Sequence, residues 1–178
     1  MARDAPASPA IVLETARLIL RRFTVDDAPF ILALLNDPAW LQFIGDKGVR
    51  TLDAARDYLR KGPIAMYERH GFGLYLAELK AGHIPVGMCG LIKRDALDDV
   101  DVGFAFLPAH RGQGHAFESA AAVLAHGRRD FGLKRIVAIA SPGNVKSAAL
   151  LEKLGMEPEK TVKLDGQDHE VMMYATAC

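Results

Sequence analysis

The feature that most restricts the fold of this chain is a glycine-rich turn between an apolar run and a helix-forming run. Residues 100–107 are nearly all apolar, Pro108 ends the run, and residues 111–116 (Arg-Gly-Gln-Gly-His-Ala) open a helical segment. A helix start leaves backbone N–H groups unpaired and places the positive end of the helix dipole there. Glycines have no Cβ, so a ligand can approach the backbone closely. The segment therefore predicts an anion-binding site.

Length and charge balance suggest one ordinary globular domain. The chain has 178 residues, of which 50% are hydrophobic and 25% are charged, with 22 Lys plus Arg against 22 Asp plus Glu. A nucleic-acid-binding surface normally shows as a basic excess, and this chain has none. We expect residues 1–10 to form a disordered tail and residues 11–178 to form a single domain.

Cysteine content and hydropathy favour a cytoplasmic protein with no membrane contact. Cys89 lies in an apolar run and Cys178 is the last residue, which is typical of a buried thiol and a frayed end rather than a disulfide. No stretch approaches the roughly 20 apolar residues that cross a bilayer. The first ten residues lack the apolar core of a signal peptide.

Periodicity predicts an α/β fold, a mixed sheet with helices on both faces. The pattern gives, in order, a strand near residues 16–23, two helices, three strands, a helix, a strand, a helix and two strands. Trp40 and Phe43 fall in a predicted loop, and Gly62-Pro63 interrupts or kinks the second helix. The stretches 74–79 with 85–92, and 159–164 with 170–175, predict two hairpins.

Two common phosphate-binding motifs fit the glycine turn poorly. A P-loop needs Lys followed by Ser or Thr after the second glycine, but His115-Ala116 follows Gly114. A dinucleotide-binding turn needs a small residue where Phe117 stands, and it needs an acidic residue at the end of the next strand. The first motif is therefore excluded and the second is weakly supported.

The turn and its surroundings resemble the GNAT superfamily of N-acetyltransferases. Residues 111–116 match the superfamily motif Arg/Gln-x-x-Gly-x-Gly/Ala. Asn144-Val145-Lys146-Ser147, followed by Glu152-Lys153-Leu154-Gly155-Met156, is similar to the later Asn-x-x-Ser…Glu-Lys-x-Gly-Phe segment, with Met156 replacing the usual aromatic residue. Residues 13–21 resemble the opening strand of the RimJ/RimL-type branch, which acetylates protein N-termini and related amines. The resemblance spans residues 13–175.

The resemblance implies the acyl-CoA N-acyltransferase fold, a central mixed sheet of about seven strands that splays apart at one end. It implies acetyl-CoA and an amine acceptor as partners, bound together for direct transfer, with no metal and with the protein as a monomer or homodimer. The residues that would contact acetyl-CoA are Phe104, Ala105 and Phe106 for the pantetheine arm, Arg111, Gly112, Gln113, Gly114, His115 and Ala116 for the pyrophosphate, and Asn144 for the arm.

The chemistry also requires groups that move protons. In the RimJ/RimL pattern Ser147 is the acid for the departing thiolate, since residues 148–154 lack the tyrosine that many members use. Asp101 is the first candidate base, with Glu68 and His70 as further options, and which face of the sheet Asp101 points to is open. Trp40, Phe43 and Glu68 are candidates for binding the acceptor. His110 and His115 have no third metal ligand nearby in sequence.

Two other functions remain open from the sequence. The missing tyrosine and the uncertain base leave room for a CoA-binding sensor or interaction module without catalysis. A dinucleotide-binding oxidoreductase is the less favoured alternative, because of Phe117.

Overall fold

The structure, a computed structural model, describes residues 8–177. It has eight strands and six α-helices in these residues, and two short turns of 3-10 helix precede α1 and α5. The predicted tail lies mostly outside the described residues, as does Cys178. The strands are β1 Ile11–Glu14, β2 Leu18–Arg22, β3 Leu74–Leu79, β4 Ile84–Ile92, β5 Asp101–Phe106, β6 Val137–Ala140, β7 Glu157–Lys163 and β8 Glu170–Ala175. The helices are α1 Ala28–Leu35, α2 Pro38–Phe43, α3 Leu52–Leu59, α4 Ala65–His70, α5 His115–Phe131 and α6 Val145–Lys153.

All eight strands form one mixed sheet in the order β1-β2-β3-β4-β5-β6-β8-β7. The predicted α/β fold and both hairpins are confirmed. Only β5 and β6 run parallel among the described strands. Dinucleotide-binding folds are built on mostly parallel sheets, so this topology does not fit the oxidoreductase alternative.

The N-terminal part of the sheet has one strand more than the sequence predicts. Residues 16–23 contain β2, as expected, but Ile11–Glu14 forms a separate edge strand antiparallel to it. This strand is only four residues long and its ends are exposed, so it shows no clear alternation of apolar and polar side chains. A tight turn at Thr15, whose N–H donates to the Leu18 carbonyl at 2.9 Å, joins the two strands.

The loop predicted around Trp40 and Phe43 is wrong, because these residues lie in the short helix α2. Asp37 caps this helix by accepting a hydrogen bond from the Trp40 N–H at 3.2 Å, and Pro38 occupies the first helical position. Asn36-Asp37-Pro38 therefore ends α1 and also begins α2. Farther on, Pro63 does not break the helical path. A π-helical turn at Arg60–Ile64 absorbs it and leads from α3 into α4.

Clusters of buried apolar residues cover both faces of the sheet. On one face, Val102 and Phe106 of β5 pack with Ala120, Val123 and Leu124 of α5. On the other face, residues of α1 and α3 pack against Leu76 and Met88, with Ala105 at the border. Side chains of β5 thus alternate between the α5 face and the face covered by α1–α3.

Candidate functional site

The glycine turn forms an open cradle of backbone amides at the start of α5. Gly112 and Gly114 have φ angles of 71° and 85°, in the left-handed region that favours glycine. The first backbone hydrogen bond of the helix runs from the Glu118 N–H to the Gly114 carbonyl at 3.0 Å. The amides before Glu118 therefore have no partner within the helix. A Cβ on Gly112 would meet no atom within 4 Å, so this side of the turn is open.

Next to the cradle, strands β5 and β6 separate. They are paired only where Asp101 lies opposite Val137, and beyond that point β6 continues its pairing with β8 alone. The Leu107 N–H donates to the Val86 carbonyl of β4 at 2.9 Å, which sets the hydrogen-bonding alternation of β5. Backbone groups of Phe104 and Phe106 consequently face the gap. The splayed sheet that the resemblance implies is present.

The three predicted contact residues on β5 do not have equivalent positions. The backbone of Ala105 points toward Met88 of β4 instead of the gap, because neighbouring residues of a strand alternate. The Phe106 carbonyl accepts a hydrogen bond from Arg111 Nε at 2.9 Å. The N–H and carbonyl of Phe104 and the N–H of Phe106 are therefore the groups of this strand that can reach a chain bound in the gap.

Arg111 does not point freely into the cradle. Its Nε contacts the Phe106 carbonyl, and its Nη2 forms an ion pair with the buried carboxylate of Asp37. A charge compensated in this way adds less positive potential to the cradle than the sequence suggests. The ion pair ties the N-terminus of α2 to the segment after β5.

The other end of α2 is tied to the segment after β6. The Ser141 hydroxyl donates to the Phe43 carbonyl, so α2 bridges the open end of the gap between β5 and β6. Phe43 is half-buried at this end. Trp40 is only 5% exposed, and its indole N–H donates to the Gly45 carbonyl at 3.0 Å. Trp40 therefore packs in the core beneath α2.

Asn144 and Ser147 lie on the β6 side of the gap, at the beginning of α6. The Asn144 side-chain oxygen accepts a hydrogen bond from the Ser147 N–H at 3.3 Å and caps the helix. The amide nitrogen of Asn144 and the hydroxyl of Ser147 are left to serve as donors to a ligand. Both residues are half-buried, which is compatible with access from the gap.

Asp101 lies at the closed end of the gap, on the face covered by α1–α3. This direction, which the sequence left open, follows because the neighbouring Val102 packs on the α5 face. The carboxylate is fully buried and accepts hydrogen bonds from Arg94 Nε at 3.1 and 3.3 Å. Burial raises the pKa of the Asp101 carboxyl above its ordinary value, although the Arg94 guanidinium opposes the shift.

The remaining candidates lie in different surroundings. Glu68 and His70 are exposed on α4, a helix whose Tyr67 hydroxyl donates to the Leu74 carbonyl of β3. His115 is 4% exposed, and its Nδ1 lies 3.3 Å from the His110 carbonyl. Within residues 8–177 no three His, Cys, Asp or Glu side chains converge as metal ligands.

Contacts of the β1–β2 turn with the cradle are a part of the site that the sequence reasoning missed. Thr15 and the backbone and side chain of Arg17 bind Glu118, in the first turns of α5. Arg17 also donates to the Gln113 carbonyl inside the cradle at 2.8 Å. The only signal in the sequence is that Thr15 and Arg17 belong to the opening segment that resembles the RimJ/RimL branch.

Comparison with known proteins gives one family. Residues 17–157 match the model of the acetyltransferase (GNAT) domain. Two relatives from Bacillus subtilis (strain 168) are named as uncharacterized N-acetyltransferases. YnaD is 27% identical over 83% of this chain and 83% of its own, and YoaA is 27% identical over 85% and 86%. None of the helices within residues 8–177 has the length and apolar character needed to cross a membrane.

Solved structures agree with this match. A putative GnaT-family acetyltransferase from Bordetella pertussis has a TM-score of 0.77 and 26% identity, covering 93% of this chain and 99% of its own. A structure of RimL, a ribosomal L7/L12 alpha-N-protein acetyltransferase in complex with coenzyme A, has a TM-score of 0.78 and 22% identity, covering 93% and 96%. At this identity the second structure shows a shared fold.

Proposed function

The chain belongs to the GNAT family of acetyl-CoA-dependent N-acetyltransferases, and on that premise we propose that it acetylates a primary amine directly, in a sequential complex with acetyl-CoA. The acceptor we favour is the α-amine of a peptide or protein. This choice rests on the resemblance of residues 13–21 to the RimJ/RimL-type branch and on the fold shared with RimL. A small-molecule amine is the other acceptor class.

The observation that supports this function best is the gap between β5 and β6 beside the amide cradle. A strand edge with free N–H groups can pair with an extended, amide-containing chain, and pantetheine is such a chain. Open amides at a helix start suit a pyrophosphate. The two features are adjacent, so one elongated ligand containing both groups can occupy them together.

Three sets of groups contact acetyl-CoA in the proposed complex. The amides of Gly112 to Ala116 hold the pyrophosphate, the N–H groups of Phe104 and Phe106 bind the pantetheine arm and thioester, and Asn144 donates to the arm from the β6 side. Arg111 acts chiefly by holding the Phe106 carbonyl and Asp37, which fixes the end of β5 beside the gap.

The chemistry requires a developing negative charge to be stabilised and two protons to be moved. The amine nitrogen attacks the thioester carbonyl carbon, the carbon–sulfur bond breaks, and the carbonyl oxygen gains charge that the Phe104 N–H, the free amide nearer to Asp101, can stabilise. Asp101 accepts the proton from the amine, directly or through water. Ser147 passes a proton to the departing thiolate from the other side of the gap and regains one from water, to which Asp101 releases the proton that it accepted.

The acceptor approaches from the face covered by α1–α3, toward which Asp101 points. A cavity of about 440 Å³ on this face is lined by residues that include Lys47, Val49 and Tyr58. Phe43, at the end of α2, lies where the gap opens and is the better placed of the predicted acceptor residues. Trp40 supports α2 from the core, and Glu68 is exposed on α4.

Replacing the base tests its role and gives a pH signature. We expect D101N to lower kcat about a hundredfold, within the range known for general bases. Wild-type turnover should fall as the pH drops through the raised pKa of Asp101, because protonation removes the base, and D101N should lose this limb of the pH–rate profile. E68Q, an exposed acid on α4, is the control. A loss in E68Q with D101N unaffected would assign the base to Glu68.

Stability measurements on D101N separate loss of the base from unfolding. A carboxyl whose pKa is raised by folding stabilises the protein below its unfolded-state pKa, and this contribution is lost as the pH rises through the folded-state pKa. The free energy of unfolding of D101N, relative to wild type, should therefore increase with pH.

No covalent acetyl-enzyme is expected at Cys89. This thiol is fully buried, and burial raises its pKa to about 12, so the nucleophilic thiolate is strongly disfavoured. We expect C89S to retain turnover within about twofold, since substitutions outside a site leave its chemistry largely intact. Loss of activity in a folded C89S protein, shown by an unchanged thermal midpoint, would contradict direct transfer.

The function itself is tested with acetyl-CoA and a panel of amines. Free-thiol release is measured with a peptide bearing a free N-terminus, the same peptide with a blocked N-terminus, spermidine and an aminoglycoside. We expect turnover with the free peptide only, and initial rates at varied concentrations of both substrates should give intersecting double-reciprocal lines. Parallel lines would contradict the sequential complex. Tight binding of acetyl-CoA without turnover on any amine would favour a CoA sensor.

A further inference from the structure

The turn between β1 and β2 holds the start of α5 through one carboxylate. The Thr15 hydroxyl donates to Glu118 Oε1 at 2.6 Å, the Arg17 N–H donates to the same oxygen at 2.8 Å, and Arg17 Nε donates to Oε2 at 2.7 Å. The Leu18 N–H in turn donates to the Thr15 hydroxyl at 3.0 Å. We call this set of contacts the Arg17–Glu118 clasp.

The clasp fixes the guanidinium of Arg17 against the cradle. Both oxygens of Glu118 are engaged by Arg17, and a planar guanidinium bound through Nε has little rotational freedom. Its Nη1 donates to the Gln113 carbonyl at 2.8 Å. Partial burial by itself would raise the pKa of the Glu118 carboxyl. Hydrogen bonds from Thr15 and Arg17 lower this pKa below its ordinary value, so the carboxylate remains ionised.

The contact with Gln113 determines the direction of a cradle amide. The Gln113 carbonyl and the Gly114 N–H belong to one peptide plane, and in a trans peptide they point in opposite directions. Arg17 draws the carbonyl to its own side, so the Gly114 N–H must point away from Arg17. Glycine at 114 permits other orientations of this plane, because it has no Cβ to restrict φ.

A second contact restrains Gln113 through its side chain. The Gln113 amide nitrogen donates to the Ala109 carbonyl at 3.0 Å, which fixes the turn to the 3-10 segment before it. Arg17 and Ala109 therefore restrain the backbone and the side chain of the same residue. The positive charge of Arg17 is compensated by Glu118 at 2.7 Å, so the main effect of Arg17 is on geometry.

From these contacts we propose that Arg17 is a positioning residue for the donor site, which preorganises the cradle by locking the Gln113–Gly114 peptide with its N–H toward the pyrophosphate. The inference rests on the proposed acetyl-CoA function. Thr15 and Glu118 act through Arg17 by holding its guanidinium. A site whose amides are oriented before binding avoids the cost of ordering them when the ligand arrives.

The test compares donors with and without the pyrophosphate. Binding of acetyl-CoA and kcat/KM for acetyl-CoA and S-acetylpantetheine are measured for wild type and for Arg17→Gln. We expect the Kd for acetyl-CoA to rise about tenfold, as for the loss of one hydrogen bond to a charged group. S-acetylpantetheine lacks the pyrophosphate, so its kcat/KM should be unchanged, and kcat with saturating acetyl-CoA should stay near wild type. Glu118→Gln should give the same pattern more weakly.

Controls distinguish positioning from other roles. Arg56→Gln removes an exposed arginine that is paired with Asp53 at 2.6 Å on α3, and it should leave both donors unaffected. An unchanged Kd for acetyl-CoA in Arg17→Gln would overturn the inference, as would equal losses with both donors. A loss that disappears with 3′-dephospho-acetyl-CoA would assign Arg17 to direct contact with the 3′-phosphate and would also overturn it. Failure of the wild-type protein to bind acetyl-CoA would refute the proposed function itself.

Discussion

Replacing Gly114 with alanine is expected to weaken acetyl-CoA binding about a hundredfold, because two effects add at this position. The φ angle of 85° is one that residues with a Cβ rarely adopt, and the new Cβ would lie 3.2 Å from Nη2 of Arg17. Relieving either conflict turns the Gln113–Gly114 peptide and displaces the Arg17 guanidinium. One or two hydrogen bonds to a charged phosphate group are then lost, at about 1.5–3 kcal/mol each. Calorimetric titration with acetyl-CoA measures the change.

Gly155 provides a matched control for this substitution. Its φ angle is 81°, nearly that of Gly114, but it follows α6 and a Cβ there would meet no atom within 4 Å. Both alanine variants have a comparable backbone cost of about 1–2 kcal/mol in stability. Only Gly114→Ala should lose affinity for acetyl-CoA. If both variants bind as wild type does, the cradle is not the donor site.

The largest effect on stability is expected for Gly90→Ala, near the C-terminal end of β4. A Cβ at this position would lie 2.0 Å from the Gly73 carbonyl oxygen and 2.7 Å from the Leu74 Cα, and both are backbone atoms that no side-chain rotation can move. The neighbouring Leu91 N–H donates to the same Gly73 carbonyl at 3.1 Å, so separating the strands also breaks a ladder contact. We expect the free energy of unfolding to fall by about 3 kcal/mol or more.

Chemical denaturation of Gly90→Ala beside Gly62→Ala tests this expectation. Gly62 has an ordinary φ angle and open space around it, so alanine there should be neutral or slightly stabilising. A Gly90→Ala protein as stable as wild type would mean that β3 and β4 do not approach as closely as the structure indicates.

Local signals in the sequence were sufficient for most of the elements. The pattern of residues 74–92 and 159–175 predicted the hairpin strands, and the glycine turn marked the open amide cradle at the start of α5. The family motifs then predicted which residues contact acetyl-CoA. The one helix missed, α2, is six residues long and begins at a proline that also ends α1.

Contacts between distant residues could not be predicted from local pattern. Arg17 and Glu118 are 101 positions apart, and Arg111 and Asp37 are 74 apart. Nothing in the spacing of apolar residues brings these charges together. For the same reason the sequence placed Arg111 in the cradle as a free cation, since its buried partner is visible only in the folded chain. The direction of Asp101 likewise depends on which helices cover each face.

The length of helix α2 also bears on the width of the gap between β5 and β6. Its N-cap is bonded to the segment after β5 and its last residue to the segment after β6, so its length spaces the two strands at their open end. The six steps from Asp37 to Phe43 rise about 9 Å at 1.5 Å per residue. Two strands with one strand missing between them lie about 9.5 Å apart. The two lengths match, so we expect that lengthening α2 by one turn would widen the open end of the gap and let bulkier acyl donors enter.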